Sequence, residues 1–140
     1  MAREKIDGLL DFLMNTVSVI ALVAMVGLVG IQSQRAIYKE SVARVDRSFA
    51  AMRAVLSDIA ARQALYYLDA AAFADSPDEL RFVGAEGVAV VLSSDDEGWA
   101  ATASHEALGS DEGCAIFFGD VIPPESPVRP ARPGQVVCSE

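Results

Sequence analysis

The sequence predicts an α+β protein in which a single transmembrane helix continues into a long amphipathic helix packed on a small antiparallel β-sheet, with one disulfide bond. Three observations predict it: an uncharged apolar run at 12–34, a helical apolar period that lasts to residue 74, and strand-like segments after Pro77. The expected organisation is a cytoplasmic N-terminus at 1–11, a transmembrane helix at 12–34, an amphipathic helix at 35–74 and an extracytoplasmic β domain at 75–140.

The run at 12–34 contains no charged residue and consists mostly of apolar residues and glycine. A helix of about 20 such residues crosses the roughly 30 Å hydrocarbon core of a bilayer and satisfies its own backbone there. A cleaved signal peptide is the alternative. The run is longer than a typical signal-peptide core, and no small-residue cleavage site follows it before Arg35.

The orientation of this segment rests on two conflicting signals. Arg3 and Lys5 precede the run and four basic residues follow it closely, which alone favours a cytoplasmic C-terminus. The two cysteines favour an oxidising compartment for the distal domain, and long distal domains translocate largely regardless of charge. We therefore expect a bacterial inner-membrane protein with its N-terminus in the cytoplasm and its β domain in the periplasm.

Small and polar residues inside the run are candidates for helix packing. Small residues allow close approach of helices in lipid, and polar side chains within a bilayer tend to face protein. The alternative is the ordinary composition of a membrane helix. The expected partners are membrane protein subunits and the lipid bilayer, contacted through Asn15, Ser18, Ala21, Ala24, Gly27 and Gly30.

A heptad seam follows the run, with apolar residues at alternating steps of four and three. A polar residue, Gln63, interrupts it once. Such a seam must be buried on the distal domain or on a partner helix. We expect its part from Phe49 to Phe73 to pack on the sheet that contains Trp99. The seam comprises Tyr38, Val42, Val45, Phe49, Met52, Leu56, Ile59, Gln63, Tyr66, Ala70 and Phe73.

The distal domain has the pattern of an antiparallel meander. Pro77 and its acidic neighbours end the helical pattern. Short β-branched and aromatic segments separated by Gly/Asp turns then predict strands, and a proline-rich stretch at 123–133 predicts an extended loop. The predicted strands are 87–92, 99–105 and 114–118, with a possible short return at 135–138.

The two cysteines, Cys114 and Cys138, both lie in this distal domain. An even count suits a disulfide in an oxidising compartment. The bond would close a loop of about 25 residues and add roughly 3 kcal/mol on the chain-entropy model. Two buried free thiols are the alternative, but Cys138 lies near a chain end that otherwise frays.

The charge is strongly uneven along the chain. Residues 1–72 carry a net charge of +1 and residues 73–140 a net charge of −10. An acidic domain repels phosphate backbones, so no nucleic-acid partner is expected. Cationic partners suit it better.

No residue pattern predicts catalysis, a metal site or a cofactor. His105 is the only histidine, and no phosphate loop, paired-cysteine motif or zinc-protease motif occurs. The acidic turn at 95–97 offers oxygens that Ca²⁺ prefers, but it lacks the spacing of a dedicated loop and is interpreted as a solvated turn. The sequence therefore predicts a protein that is not an enzyme.

Four segments of the distal domain are similar to those of type IV pilins and pseudopilins: GVAVVL at 87–92, GWAATASH at 98–105, CAIFFG at 114–119 and GQVVC at 134–138. The resemblance covers about residues 35–140 and implies a long helix packed on a small sheet with a C-terminal disulfide loop. The N-terminus departs from this family, because Gly8 is not followed by the family's cleavage motif and Leu13 stands where its glutamate is expected.

These observations predict a non-enzymatic accessory subunit of a larger membrane complex, of respiratory, photosynthetic reaction-centre or secretion type. A minor pilin or pseudopilin is the first alternative. A membrane-anchored ligand-binding or sensor module is the second, and it would require a pocket.

Overall fold

The computed structural model describes residues 2–139, with side chains described for Met25 and for 34–139. The elements are helix α1 (Ala2–Ala70) and strands β1 (Val88–Ser94), β2 (Gly98–His105), β3 (Cys114–Gly119) and β4 (Val137–Cys138). The chain divides into two compact units, Met1–Val42 and Ala43–Glu140. The first unit contains the N-terminal part of α1, and the second contains the rest of α1 and the sheet.

The four strands form one antiparallel sheet in the order β1-β2-β3-β4. The predicted meander with a short returning strand is confirmed. The β1–β2 turn is held by Asp95, whose Oδ1 accepts the backbone N–H groups of Glu97 and Gly98 at 2.8 and 2.9 Å. This Asx-type turn explains why an acidic Gly-containing segment separates the two strands.

The distal part of the seam packs on one face of the sheet. Met52, Leu56 and Ile59 are fully buried, in one cluster with Trp99 and Ile116. Alternate residues of a strand share a face, so the register directs one set of strand side chains toward the helix. The expected packing of the seam on the sheet is confirmed from Phe49 to Ile59, whereas Tyr66 and Phe73 are only partly buried and Ala70 is exposed. Each large side chain buried in this way stabilises the fold by about 1.5–3 kcal/mol.

The other face of β3 is also buried. Ala115 and Phe117 are shielded from solvent although they lie opposite the helix-facing residues. Pro130 in the proline-rich loop is fully buried, and the Gly134 N–H donates to the Phe117 carbonyl at 2.7 Å. The loop thus returns along the edge of β3, and this path brings β4 into the sheet.

The helix ends at Ala70, before the break that the proline pattern predicts at 74. Ala71 adopts a left-handed conformation with φ of 52°, and its N–H donates to the Tyr67 carbonyl at 2.9 Å. A left-handed residue at this position commonly ends a helix, and glycine usually occupies it. Alanine gives no such signal in the sequence, so Pro77 was the first visible break.

Two adjacent side chains of α1 hold the chain that leaves the helix. The buried Gln63 amide donates to the Ala74 carbonyl at 2.7 Å and accepts the Ala74 N–H at 3.0 Å. Arg62 donates to the carbonyls of Leu80 and Arg81 at 3.2 and 3.1 Å. The polar interruption of the seam therefore satisfies a buried backbone unit that has no secondary-structure partner.

Replacing Gln63 with leucine should destabilise the protein, although leucine restores the apolar seam. The change leaves the buried N–H and C=O of Ala74 without partners, at about 1–3 kcal/mol for each unsatisfied group. Chemical denaturation of the full chain measures the loss. Leu65→Gln, at an exposed helix position, should stay within about 0.5 kcal/mol of wild type. A Gln63→Leu variant as stable as wild type would contradict the assigned role.

Within the described residues, no helix is long and apolar enough to cross a membrane. The prediction of a transmembrane helix in the fold is therefore wrong for the described chain. From Arg35 onward, charged side chains recur along α1 every few residues, so this part of the helix offers no uncharged stretch of about 20 residues. The side chains at 12–34, except Met25 and Gln34, lie outside the described residues.

Candidate interaction surfaces

The disulfide joins Cys114 in β3 to Cys138 in β4, as predicted, and the free-thiol alternative is wrong. The two residues are direct cross-strand partners. Next to the bond, the Ser139 N–H donates to the Gly113 carbonyl at 2.9 Å, and the Gly113 N–H donates to the Ser139 hydroxyl at 2.9 Å. The bond and these contacts attach the C-terminal strand to the sheet. Their role is structural.

The predicted helix-packing residues Asn15, Ser18, Ala21, Ala24, Gly27 and Gly30 have side chains outside the described set, and the structure does not place them. The same holds for the membrane contacts expected through them. The described side chains instead present three other surfaces: a patch on α1, an apolar groove and an acidic sheet.

An exposed apolar patch lies on the N-terminal unit. It consists of Ile37, Tyr38 and Val42, which are 68%, 70% and 42% exposed. We call it the helix patch. Tyr38 and Val42 continue the heptad seam that is buried farther along α1. Exposed apolar side chains that cluster in this way are typical of protein-interaction surfaces in general.

An apolar groove of about 550 Å³ lies in the second unit, between α1 and the end of the sheet. Tyr67 and Phe73 stack at one wall with ring centroids 4.7 Å apart, and Phe118 is half exposed. Small-molecule sites usually add several placed polar groups to an apolar wall. Among the lining residues, the polar side-chain groups are the Tyr67 hydroxyl and the Trp99 indole N–H. The lining is Ala60, Ala64, Tyr67, Phe73, Trp99, Phe118 and Gly134.

The acidic turn and the histidine are engaged in local backbone contacts. Asp95 accepts the turn N–H groups described above, and His105 Nδ1 accepts the Ala107 N–H at 3.1 Å. No group of three or more potential metal ligands occurs within the described part of the chain. His105 ends β2, where the sequence placed it.

The sheet region carries charge of one sign. Residues 82–128 contain nine aspartate and glutamate residues and no lysine or arginine. The five that flank β1 are exposed: Glu86, Asp95, Asp96, Glu97 and Glu106. Net charge predicted an acidic domain, but the fold was needed to show that carboxylates stand at both ends of one strand.

The chain matches no protein-family model, and no curated protein and no solved structure is significantly similar to it. The resemblance to pilins remains an expectation based on the four segments quoted above. The helix patch, the groove and the acidic sheet are therefore the features of this chain that bear on its function.

Proposed function

We propose that this protein is a non-enzymatic structural subunit of a larger protein complex, bound to its neighbours through the helix patch. The observation that supports the proposal is the unequal burial of one seam. Leu56 and Ile59 are fully covered by the chain's own sheet, whereas Tyr38, at a seam position on the same helix, is 70% exposed. A partner protein would complete the burial of the apolar positions.

The disulfide supports a location of this protein outside the reducing cytoplasm. Disulfides persist in oxidising compartments such as the bacterial periplasm. In this proposal the second unit is an extracytoplasmic head that presents an acidic sheet to other subunits. The proposal does not depend on a membrane-spanning segment.

The full chain should run in native extracts within a complex much larger than its own 14.8 kDa. The double substitution Tyr38→Ser and Val42→Ser should release it, because polar side chains remove the apolar contact of the helix patch. Size-exclusion chromatography followed by mass spectrometry measures both results. The co-eluting subunits then distinguish respiratory, photosynthetic and secretion hosts.

The matched control is Ala36→Ser with Glu40→Ser. These residues are exposed, lie in the same unit, and are about a third to half a turn of α1 away from the substituted Tyr38 and Val42. The control variant should stay in the complex. A wild-type chain that elutes alone, or a patch variant that stays bound like the control, would contradict the proposal.

A further inference from the structure

The two edges of the sheet are unequal. β4 is two residues long and is attached by a disulfide, whereas β1 pairs with β2 along seven residues without a bulge. The sequence of β1, VAVVLSS, contains no proline and no charged residue. Proteins usually protect an exposed edge strand with proline, charged side chains, bulges or a short length, because an unprotected edge pairs with other strands. β1 has none of these protections.

The hydrogen bonds at both ends of β1 show which groups face outward. The Glu106 N–H donates to the Gly87 carbonyl, and the Asp95 N–H donates to the Gly98 carbonyl. Bonded positions alternate in an antiparallel pair. Val90 and Leu92 therefore direct N–H and C=O away from β2, and these four groups have no hydrogen-bond partner within residues 2–139.

The part of β1 whose outward N–H and C=O groups are unpaired, from Val90 to Leu92, is bounded by a hydrogen bond at each end. The Val88 N–H donates to the Ala85 carbonyl at 3.1 Å, and the Ser94 hydroxyl donates to the Phe73 carbonyl at 3.3 Å. Between them, Val91 is 70% exposed on the face away from the helix. The register places Thr102 beside Val91 on that face. An added strand would thus extend a flat surface of small, uncharged side chains.

The charges around β1 specify the partner. Glu86 and Glu106 lie at its start, and Asp95, Asp96 and Glu97 lie at its end, all exposed. A second copy of β1, in either direction, would bring carboxylates against carboxylates, which is unfavourable. A strand with lysine or arginine at both ends would instead pair with them.

We propose that the outer edge of β1 accepts an extended segment of another protein, with an uncharged β-forming centre and basic residues at both ends. The main-chain bonds to Val90 and Leu92 supply affinity, and the flanking carboxylates supply selectivity. This rests on the proposed role as an assembly subunit. It uses no residue of the helix patch, so the two surfaces can fail separately.

The test uses the full, disulfide-bonded chain and a short synthetic peptide with two lysines at each end of an alternating threonine–valine centre. Fluorescence anisotropy of the labelled peptide measures binding, and amide-resolved hydrogen exchange locates it. The peptide should bind at millimolar concentration or better and slow exchange at Val90 and Leu92 by about tenfold or more. Binding should weaken with salt, because the exposed flanking charges are screened.

Two variants separate backbone pairing from charge. Val90→Pro removes the outward N–H but no bond to β2, and proline is tolerated on an edge strand; it should abolish binding while circular dichroism shows the fold intact. Glu86→Lys with Asp96→Lys should weaken binding by roughly tenfold through lost and reversed ion pairs. The control Glu40→Lys with Asp46→Lys changes net charge equally at exposed positions of α1 and should bind like wild type.

Three results would overturn the proposal. They are equal binding of a peptide with glutamates in place of its lysines, protection at residues other than those of β1, and no binding at millimolar peptide. A wild-type chain that dimerises through β1 would overturn the choice of a basic partner. None of these results bears on the helix patch.

Discussion

In the full chain, Leu56→Ala should lower the free energy of unfolding by about 2–5 kcal/mol. Leu56 is fully buried in the cluster formed by α1 and the sheet. Truncation removes buried apolar surface and leaves a cavity that the surrounding structure only partly fills. Denaturant titration, followed by fluorescence of the single, buried Trp99, measures the change.

The matched control for this experiment is Leu68→Ala. Leu68 is on the same helix but 79% exposed, so the change should stay within about 0.5 kcal/mol of wild type. Equal stability of the two leucine variants would show that α1 is not held on the sheet by this cluster.

Removing the disulfide should be of comparable cost. The double substitution Cys114→Ala and Cys138→Ser opens a link between residues 24 positions apart, and loss of a native disulfide from a small domain typically costs about 2–5 kcal/mol. Part of the effect arises in the unfolded chain, which gains freedom when the loop opens. The same denaturant titration measures it.

Reductant provides the control for the disulfide prediction. Reduced wild type should unfold at nearly the same denaturant concentration as the double variant, and reductant should not affect the variant. If reductant leaves wild-type stability unchanged, or if both cysteines of the unreduced, denatured chain react with an alkylating agent, the bond is not formed in solution.

The strands were predictable because their signals are local. Period-two segments bounded by Gly and Asp turns gave β1, β2 and β3 to within two residues at each end. The bond between Cys114 and Cys138 was also predictable, because the chain has two cysteines and both lie in the distal domain. Local composition is sufficient where the interaction that decides structure lies within a few residues.

The features that the sequence did not reveal depend on contacts between residues that are far apart in the chain. The partner of Gln63 is Ala74, eleven residues away and past the end of the helix, so the sequence showed Gln63 as a defect in the seam. The seam pattern also could not show which seam residues the sheet buries and which it leaves exposed. That difference decides which apolar residues form the helix patch. The open edge of β1 could be recognised only once the order of the strands in the sheet was known.

A sheet with one closed and one open edge has a fixed capacity for growth. At β4, two residues and a disulfide leave too little free backbone to start another pairing, while in the proposed association β1, at the other edge, receives one strand. Once that strand is bound to β1, the opposite edge of the sheet, at β4, offers no site for a further strand. Association by strand addition would therefore stop at a defined stoichiometry. The C-terminal disulfide would oppose fibril growth, because it holds β4 at the edge where a further strand would otherwise pair.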